Sequence, residues 1–218
     1  MSDDMQLQQW VSDELAFEPK VDAAHIGVSV HNGVVTLSGR VNSYAEKFAA
    51  EEAARRIKGV TAVAQELEVH LPSDKKTDDA EIAERLVRMF HWDTLVPHDR
   101  IKVKVERGYV TLSGEVEWHY QRTEAEADAR KLGGVKTVIN DIHVRPVLKS
   151  ENVAARIRAA LERNASTEAD RVSVDVTGTK VTLTGKVNAW TERETIERAA
   201  WSVPGVTEVD DRIGLSRP

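Results

Sequence analysis

Three tandem αββαβ modules make up the fold that the sequence predicts: an α+β chain in which each copy is a small three-stranded mixed sheet with two helices on one face. Three observations predict it. The segment GVVTLSGRV at Gly33 returns as GYVTLSGEV at Gly108 and as TKVTLTGKV at Thr179, at offsets of 75 and then 71 residues. The same two offsets carry a whole module of apolar positions without a gap, which is the mark of a structural repeat. Within each copy the apolar period changes from helical to alternating, then to helical and back to alternating. Differences in length fall in the linkers, so the repeats are set at residues 1–72, 77–146 and 150–218.

Each element follows from its spacing. Leu7, Val11 and Leu15 stand four apart and form one stripe on a first helix. Ile82, Leu86, Phe90 and Val153, Ile157, Leu161 repeat that stripe. Ile26, Val28 and Val30 alternate as a strand with one buried face, as do Ile101, Val103, Val105 and Val172, Val174, Val176. The turns His31-Asn32-Gly33, Glu106-Arg107-Gly108 and Thr177-Gly178-Thr179 are short enough for hairpins. The second strand buries Val35 and Leu37, Val110 and Leu112, or Val181 and Leu183, and is expected to end at Gly39, Gly114 or Gly185. A second helix places Ala50, Ala54 and Ile57 inward, with Ala125, Ala129, Leu132 and Ile196, Ala200, Val203 as counterparts. Gly59, Gly134 and Gly205 stand where a helix ends on a left-handed residue. The last strand alternates through Val63, Leu67 and Val69, through Val138, Ile142 and Val144, or through Val209, Ile213 and Leu215. A right-handed strand–helix–strand crossover sets it parallel to the second strand. Modules of this size have thin cores, so packing between repeats is expected. Pro72 and Pro146 mark the short linkers Leu71–Thr77 and Arg145–Ser150.

Composition excludes several classes. Hydrophobic residues are 41% and charged residues 30% of the 218, ordinary for a globular chain rather than a disordered one. No run approaches the length of a membrane-spanning helix. The start MSDDMQLQQW has neither a basic nor an apolar signal region. That points to the cytoplasm, or to the periplasm if the N-terminus has been trimmed. With no cysteine there is no disulfide, thiolate nucleophile or Cys-type zinc site. The net charge of −6 falls as −5, 0 and −1 on residues 1–75, 76–149 and 150–218. A chain of that sign has no general pull toward nucleic acid, and no nucleic-acid partner is expected.

These residues resemble a known family. The run V-x-V-x-x-G-x-V-x-L-x-G-x-V, read from Val28 to Val41, is followed by a Gly-Val pair 20 residues after its last glycine. Gly39 to Gly59, Gly114 to Gly134 and Gly185 to Gly205 keep that spacing. The last strand reads Val63-Ala64-Gln65-Glu66-Leu67, Val138-Ile139-Asn140-Asp141-Ile142 and Val209-Asp210-Asp211-Arg212-Ile213, against a family pattern V-x-N-x-I/L. Together they resemble the BON domain. The resemblance implies a bacterial, non-enzymatic binding protein associated with osmotic and envelope stress. It implies phospholipid surfaces as partner, or, in one cytoplasmic branch, potassium ions. No cofactor and no catalytic set come with it. Osmotically inducible periplasmic members usually carry two copies behind a signal peptide, whereas three copies and no signal are expected of this chain.

Candidate sites are few. There is no Walker loop, G-x-G-x-x-G or H-E-x-x-H motif. His91 and His98 flank one loop and could be imagined as a metal pair, but an exposed loop explains them, and no metal site is expected. Glu51, Glu126 and Glu197 share a column, either as a repeated cation ligand or as a solvated face with Glu51–Arg55 and Glu126–Arg130 paired four apart. A further column, five residues after the strand-ending glycine, holds Tyr44, His119 and Trp190, with Trp118 adjacent. It stands at the start of the second helix, where phosphate is attracted and an aromatic could meet lipid. Packing against the next module is the other reading of Tyr44, Trp118, His119 and Trp190. Trp10 and Phe17 are further candidates for membrane or inter-module contact, with Trp10 expected to widen the buried stripe of the first helix.

Overall fold

A computed structural model describes residues 3–71, 78–145, 152–163 and 171–215. The first copy runs α1 (Asp3–Phe17), a 3₁₀ turn (Ala23–His25), β1 (Ile26–His31), β2 (Val34–Val41), α2 (Tyr44–Arg55) and β3 (Ala62–Val69). The second runs α3 (Asp79–Trp92), β4 (Ile101–Glu106), β5 (Tyr109–Val116), α4 (His119–Lys131) and β6 (Thr137–Val144). The third runs α5 (Val153–Glu162), β7 (Val172–Thr177), β8 (Lys180–Val187), α6 (Trp190–Trp201) and β9 (Glu208–Leu215). The αββαβ order is thus met three times. The linker residues 72–77 and 146–150, and the Leu161 side chain, lie outside what is described.

Each sheet has three strands with the second in the middle. β1 pairs antiparallel with β2, with Val28 opposite Leu37, and β2 pairs parallel with β3, with Val35 opposite Val63. The third copy repeats this register, Val174 opposite Leu183 and Val181 opposite Val209. The mixed sheet follows from the crossover helix, which returns the chain to the same end of the sheet. The predicted stripes form the cores. Leu7, Val11 and Leu15 pack with Val35, Leu37, Ala50 and Ala54. Val153 and Ile157 pack with Val181, Leu183, Ile196 and Ala200. Ile82, Leu86, Phe90, Val110, Leu112, Ala125 and Ala129 are buried in the second copy. Alanine at the inward helix positions leaves no side chain to hold helix and sheet apart.

The chain divides into two compact units. One comprises Met1–Trp92, Val103–Thr111 and Glu126–Ile139; the other comprises Asp93–Lys102, Leu112–Ala125 and Asn140–Pro218.

One expectation is corrected. The second strand does not end at Gly39, Gly114 or Gly185 but runs on to Val41, Val116 and Val187. Gly39 closes the antiparallel pairing opposite Ile26, while the parallel ladder continues as Arg40 to Glu68 and Val41 to Val69. A Cβ on Gly39 would run into the His25 carbonyl, and one on Gly114 into the Arg100 carbonyl. The glycine therefore lets the incoming chain cross the middle strand without stopping it.

Two devices were not foreseen. Asn32-Gly33 and Arg107-Gly108 have φ of 51°, 79° and 53°, 81°, as a type I′ hairpin requires. A carboxylate from the first turn of the preceding helix holds each: Asp4 accepts the Asn32 and Gly33 N–H groups at 2.8 and 3.1 Å, and Asp79 accepts those of Arg107 and Gly108 at 2.6 and 2.8 Å. The second device joins the last strand to the second helix. Asn140 accepts the Ile142 N–H and donates to the Arg122 carbonyl, at 3.2 and 3.1 Å. Gln65 accepts the Leu67 N–H at 3.3 Å, and Asp211 accepts the Ile213 N–H at 2.9 Å and the Arg193 guanidinium at 2.6 Å. This is the structural reason for the polar residue in the V-x-N-x-I/L pattern.

Candidate functional site

The aromatic column stands at the entry of the second helix, and the helix start is built from side chains of the chain itself. Ser43 accepts the Glu46 N–H at 3.1 Å, and the buried Glu46 carboxylate accepts the Asn42 and Asp22 N–H groups at 2.7 and 2.8 Å. Ser43 thus caps the helix as in a capping box, while the Glu46 carboxylate turns to the N–H of Asn42, one residue before the cap, and to that of Asp22. In the second copy Gln121 accepts the Glu117 and Trp118 N–H groups at 3.0 and 3.1 Å, and in the third Glu192 accepts that of Asn188 at 3.0 Å. Tyr44, His119 and Trp190 are each the first residue of their helix. A carboxylate already faces the helix start in the first and third copies, which weakens the field a phosphate would feel there.

The rings are then taken up by packing. In the first unit Tyr44 is half-buried; burial pushes its phenol above the ordinary value, against the opposing pull of a hydrogen bond with the Val138 backbone. Beside it, the Arg130 guanidinium lies 4.0 Å from the Phe48 ring centre and pairs with Glu126 at 3.3 Å. In the second unit the His119 ring stacks on Trp201 with centroids 4.0 Å apart and planes 8° from parallel. Desolvation, with Arg122 nearby, lowers its pKa to about 4, so the ring is neutral at pH 7. Arg130 and Trp201 occupy one repeat column, that of Arg55. Thus a ring in the first turns of a second helix, Phe48 in one unit and His119 in the other, meets the last turn of the next copy's second helix, while Tyr44 itself bonds to β6 at Val138.

The remaining candidates pair locally. Trp118 is half-buried and stacks with Tyr120 at 6.5 Å. Trp190 is half-buried with the Arg193 guanidinium 5.1 Å from its ring centre. The glutamate column recurs as i,i+4 pairing: Glu51 with Arg55 at 2.5 Å, Glu126 with Arg130, and in the third copy Glu197 accepting the Trp201 indole N–H at 3.4 Å. Among the described residues no three His, Asp or Glu side chains gather as metal ligands, His91 and His98 included.

The least covered aromatic surface lies on the first helix. Phe17 and Trp92 close α1 and α3 at the same repeat position, and each is 83% exposed. Trp10 does not widen the buried stripe; it is 48% exposed while Val11 beside it is fully buried. One residue along a helix is about 100° around it, which carries the indole off the core face. Trp10 and Phe17, seven residues apart and so on one side of α1, line a shallow open surface with Arg56 and Lys58. Arg56 is held there by Glu14 and Glu18 at 3.0 and 2.8 Å, an attraction that keeps the Glu18 carboxyl below its usual range. No signal separated Trp92 from core aromatics in the sequence except its register with Phe17.

The chain matches the family model of the BON domain at residues 3–70, 78–146 and 149–216. It is similar to osmotically-inducible protein Y of Escherichia coli K12, 32% identical over 148 residues that span 66% of this chain and 73% of that protein. Among solved structures it is similar to CdsD, a structural protein of the type III secretion system of Chlamydia trachomatis. That match has 15% identity and a TM-score of 0.27 over 97% of this chain and 92% of the other. A second structure, the C-terminal domain of CdsD, matches at 16% identity and the same TM-score over 99% of this chain and 100% of that one.

Proposed function

As a member of the BON-domain family, matched in all three of its repeats, this chain is, we propose, a non-enzymatic stress-associated binding protein that docks on phospholipid surfaces. The relation to an osmotically inducible protein supports the link to stress. The observation that carries the lipid reading is the exposure of Phe17 and Trp92, 83% each, at one repeat position. A ring held that far into water adds nothing to the core, whereas aromatic rings gain by entering the boundary of a bilayer. Trp10 extends the surface on α1, and Lys58 beside it suits an anionic headgroup. No described helix is long and apolar enough to cross a membrane. With a net charge of −6 the chain gains little from electrostatics at large, so the rings carry most of the affinity.

The test is co-sedimentation with phosphatidylglycerol-containing vesicles at low and high salt. Burying one such ring contributes about 1.5–3 kcal/mol, so Phe17→Ala with Trp92→Ala is expected to weaken binding by roughly a hundredfold or more. Trp118→Ala with Trp190→Ala, at half-buried positions, is expected to weaken it less. Absence of binding at low salt, where screening is weakest, would remove the proposal.

A further inference from the structure

The three copies treat the free edge of their first strand differently. β1, β4 and β7 are all edge strands. In the first copy Gln8 of α1 donates to the Val28 carbonyl at 2.8 Å, and in the third Arg158 of α5 donates to the Val174 carbonyl at 3.4 Å. Val28 and Val174 are the same repeat position, so a polar side chain of the first helix reaches over and occupies the middle of the edge. The counterpart in the second copy is Val103. The α3 residues in register with Gln8 and Arg158 are Ala83 and Val87, neither of which can donate. Instead they line a shallow groove with Glu84 and Arg88, and Val87 is 55% exposed.

The charge differs as well. The outward-facing positions of β4 are Lys102 and Lys104, both exposed, where the first copy has Gly27 and Ser29 and the third has Ser173 and Asp175. Lys104 reaches Glu106 at 3.1 Å, a surface pair of small worth that yields to a better partner. Lysine on an edge is also a common guard against self-pairing, and here the like charge disfavours a second copy of the same edge.

We propose that the β4 edge of the second repeat takes up an extended acidic peptide from a partner protein as an added strand. The main chain of the peptide would bond the edge groups around Val103. Its alternate residues would divide between two faces: apolar side chains toward Ala83 and Val87, and carboxylates toward Lys102 and Lys104. The surface is separate from Phe17 and Trp92 in chemistry and in partner, so this inference does not rest on the lipid reading.

The experiment uses the full chain and a labelled eight-residue peptide alternating valine and glutamate, read by fluorescence anisotropy. Ala83→Gln restores the donor that the first copy has, and Val87→Arg the one that the third copy has. Each is expected to weaken the peptide by tenfold or more with an unchanged melting temperature. Lys102→Ser with Lys104→Ser is expected to weaken it and to reduce its salt dependence, and a peptide with lysine for glutamate is expected not to bind. Amide exchange should slow at Val103 and Val105 in the complex. Equal affinity for the wild type and the Ala83→Gln chain, protection elsewhere than β4, or no binding of the acidic peptide at low salt would each overturn the proposal.

Discussion

Asp128 offers the sharpest test of how far the repeats substitute for one another. It lies on α4 and is 3% exposed. One carboxylate oxygen accepts the Lys131 ammonium at 2.9 Å, and the other is buried with no hydrogen-bond partner among the described residues. The other copies have Ala53 and Ala199 in this column, with Ala53 fully buried. Asp128→Ala therefore removes an unmet acceptor whose desolvation costs about 1–3 kcal/mol. It adds about half a kcal/mol of helix propensity. Against this stand the loss of a pair whose lysine is 60% exposed, worth ~0–1 kcal/mol, and a small cavity costing about 1 kcal/mol. The balance is a gain of about 1 kcal/mol. Urea unfolding should show the midpoint rising with the slope unchanged. Asp128→Asn, which keeps a buried polar group, should not give the gain. A loss of roughly 3 kcal/mol or more in the alanine variant, the size seen when a paired buried charge loses its partner, would refute the reasoning and show that the carboxylate is bound on both oxygens.

Two further outcomes follow from the same contacts. The depressed His119 pKa, about 4 in the fold against an ordinary 6.5, means that the unfolded chain takes up a proton before the folded chain does. Stability is then complete above about pH 6.5 and falls as the pH drops toward 4; for this half-exposed ring, screening reduces the loss to about 1–2 kcal/mol. His119→Phe, which keeps the ring on Trp201, should flatten urea midpoints measured across that window, and an unchanged slope would refute the assignment. Asp79→Ala removes two charge-assisted bonds from the Arg107-Gly108 turn and should destabilise by about 1–3 kcal/mol. Asp4→Ala should do the same in the first copy, and a change under a few tenths of a kcal/mol in both would show that the turns hold without the clamp.

The repeat made the fold legible because its evidence is redundant. Each stripe, each alternation and each glycine appears three times, so a position such as Val11 is read together with Leu86 and Ile157, and all are fully buried. What stayed illegible depends on one atom meeting another across the chain. The Asp4 clamp joins residues 28 and 29 apart, and nothing in an aspartate of a first helical turn distinguishes a partner in a distant hairpin from ordinary capping. The strand-ending glycines show the same limit. Their recurrence identified a backbone constraint, but only the nearness of the His25 carbonyl shows that the constraint is a crossing rather than a stop.

The candidate site was legible in the opposite sense. The column of Tyr44, His119 and Trp190 stood out because aromatic residues recur at a helix start, and that recurrence reflects packing in two of the three: a hydrogen bond with Val138, and a stack on Trp201. Repetition selects for what every copy must do, which is to bury surface. Binding specific to one face needs departures from the repeat, and those are the positions that sequence comparison among the copies discounts. Ala83 and Val87 in place of Gln8 and Arg158, and Lys102 and Lys104 in place of small or acidic residues, are such departures. In a chain of near-equivalent modules, the positions out of register in chemistry, rather than those in register, mark where a partner can tell one copy from another.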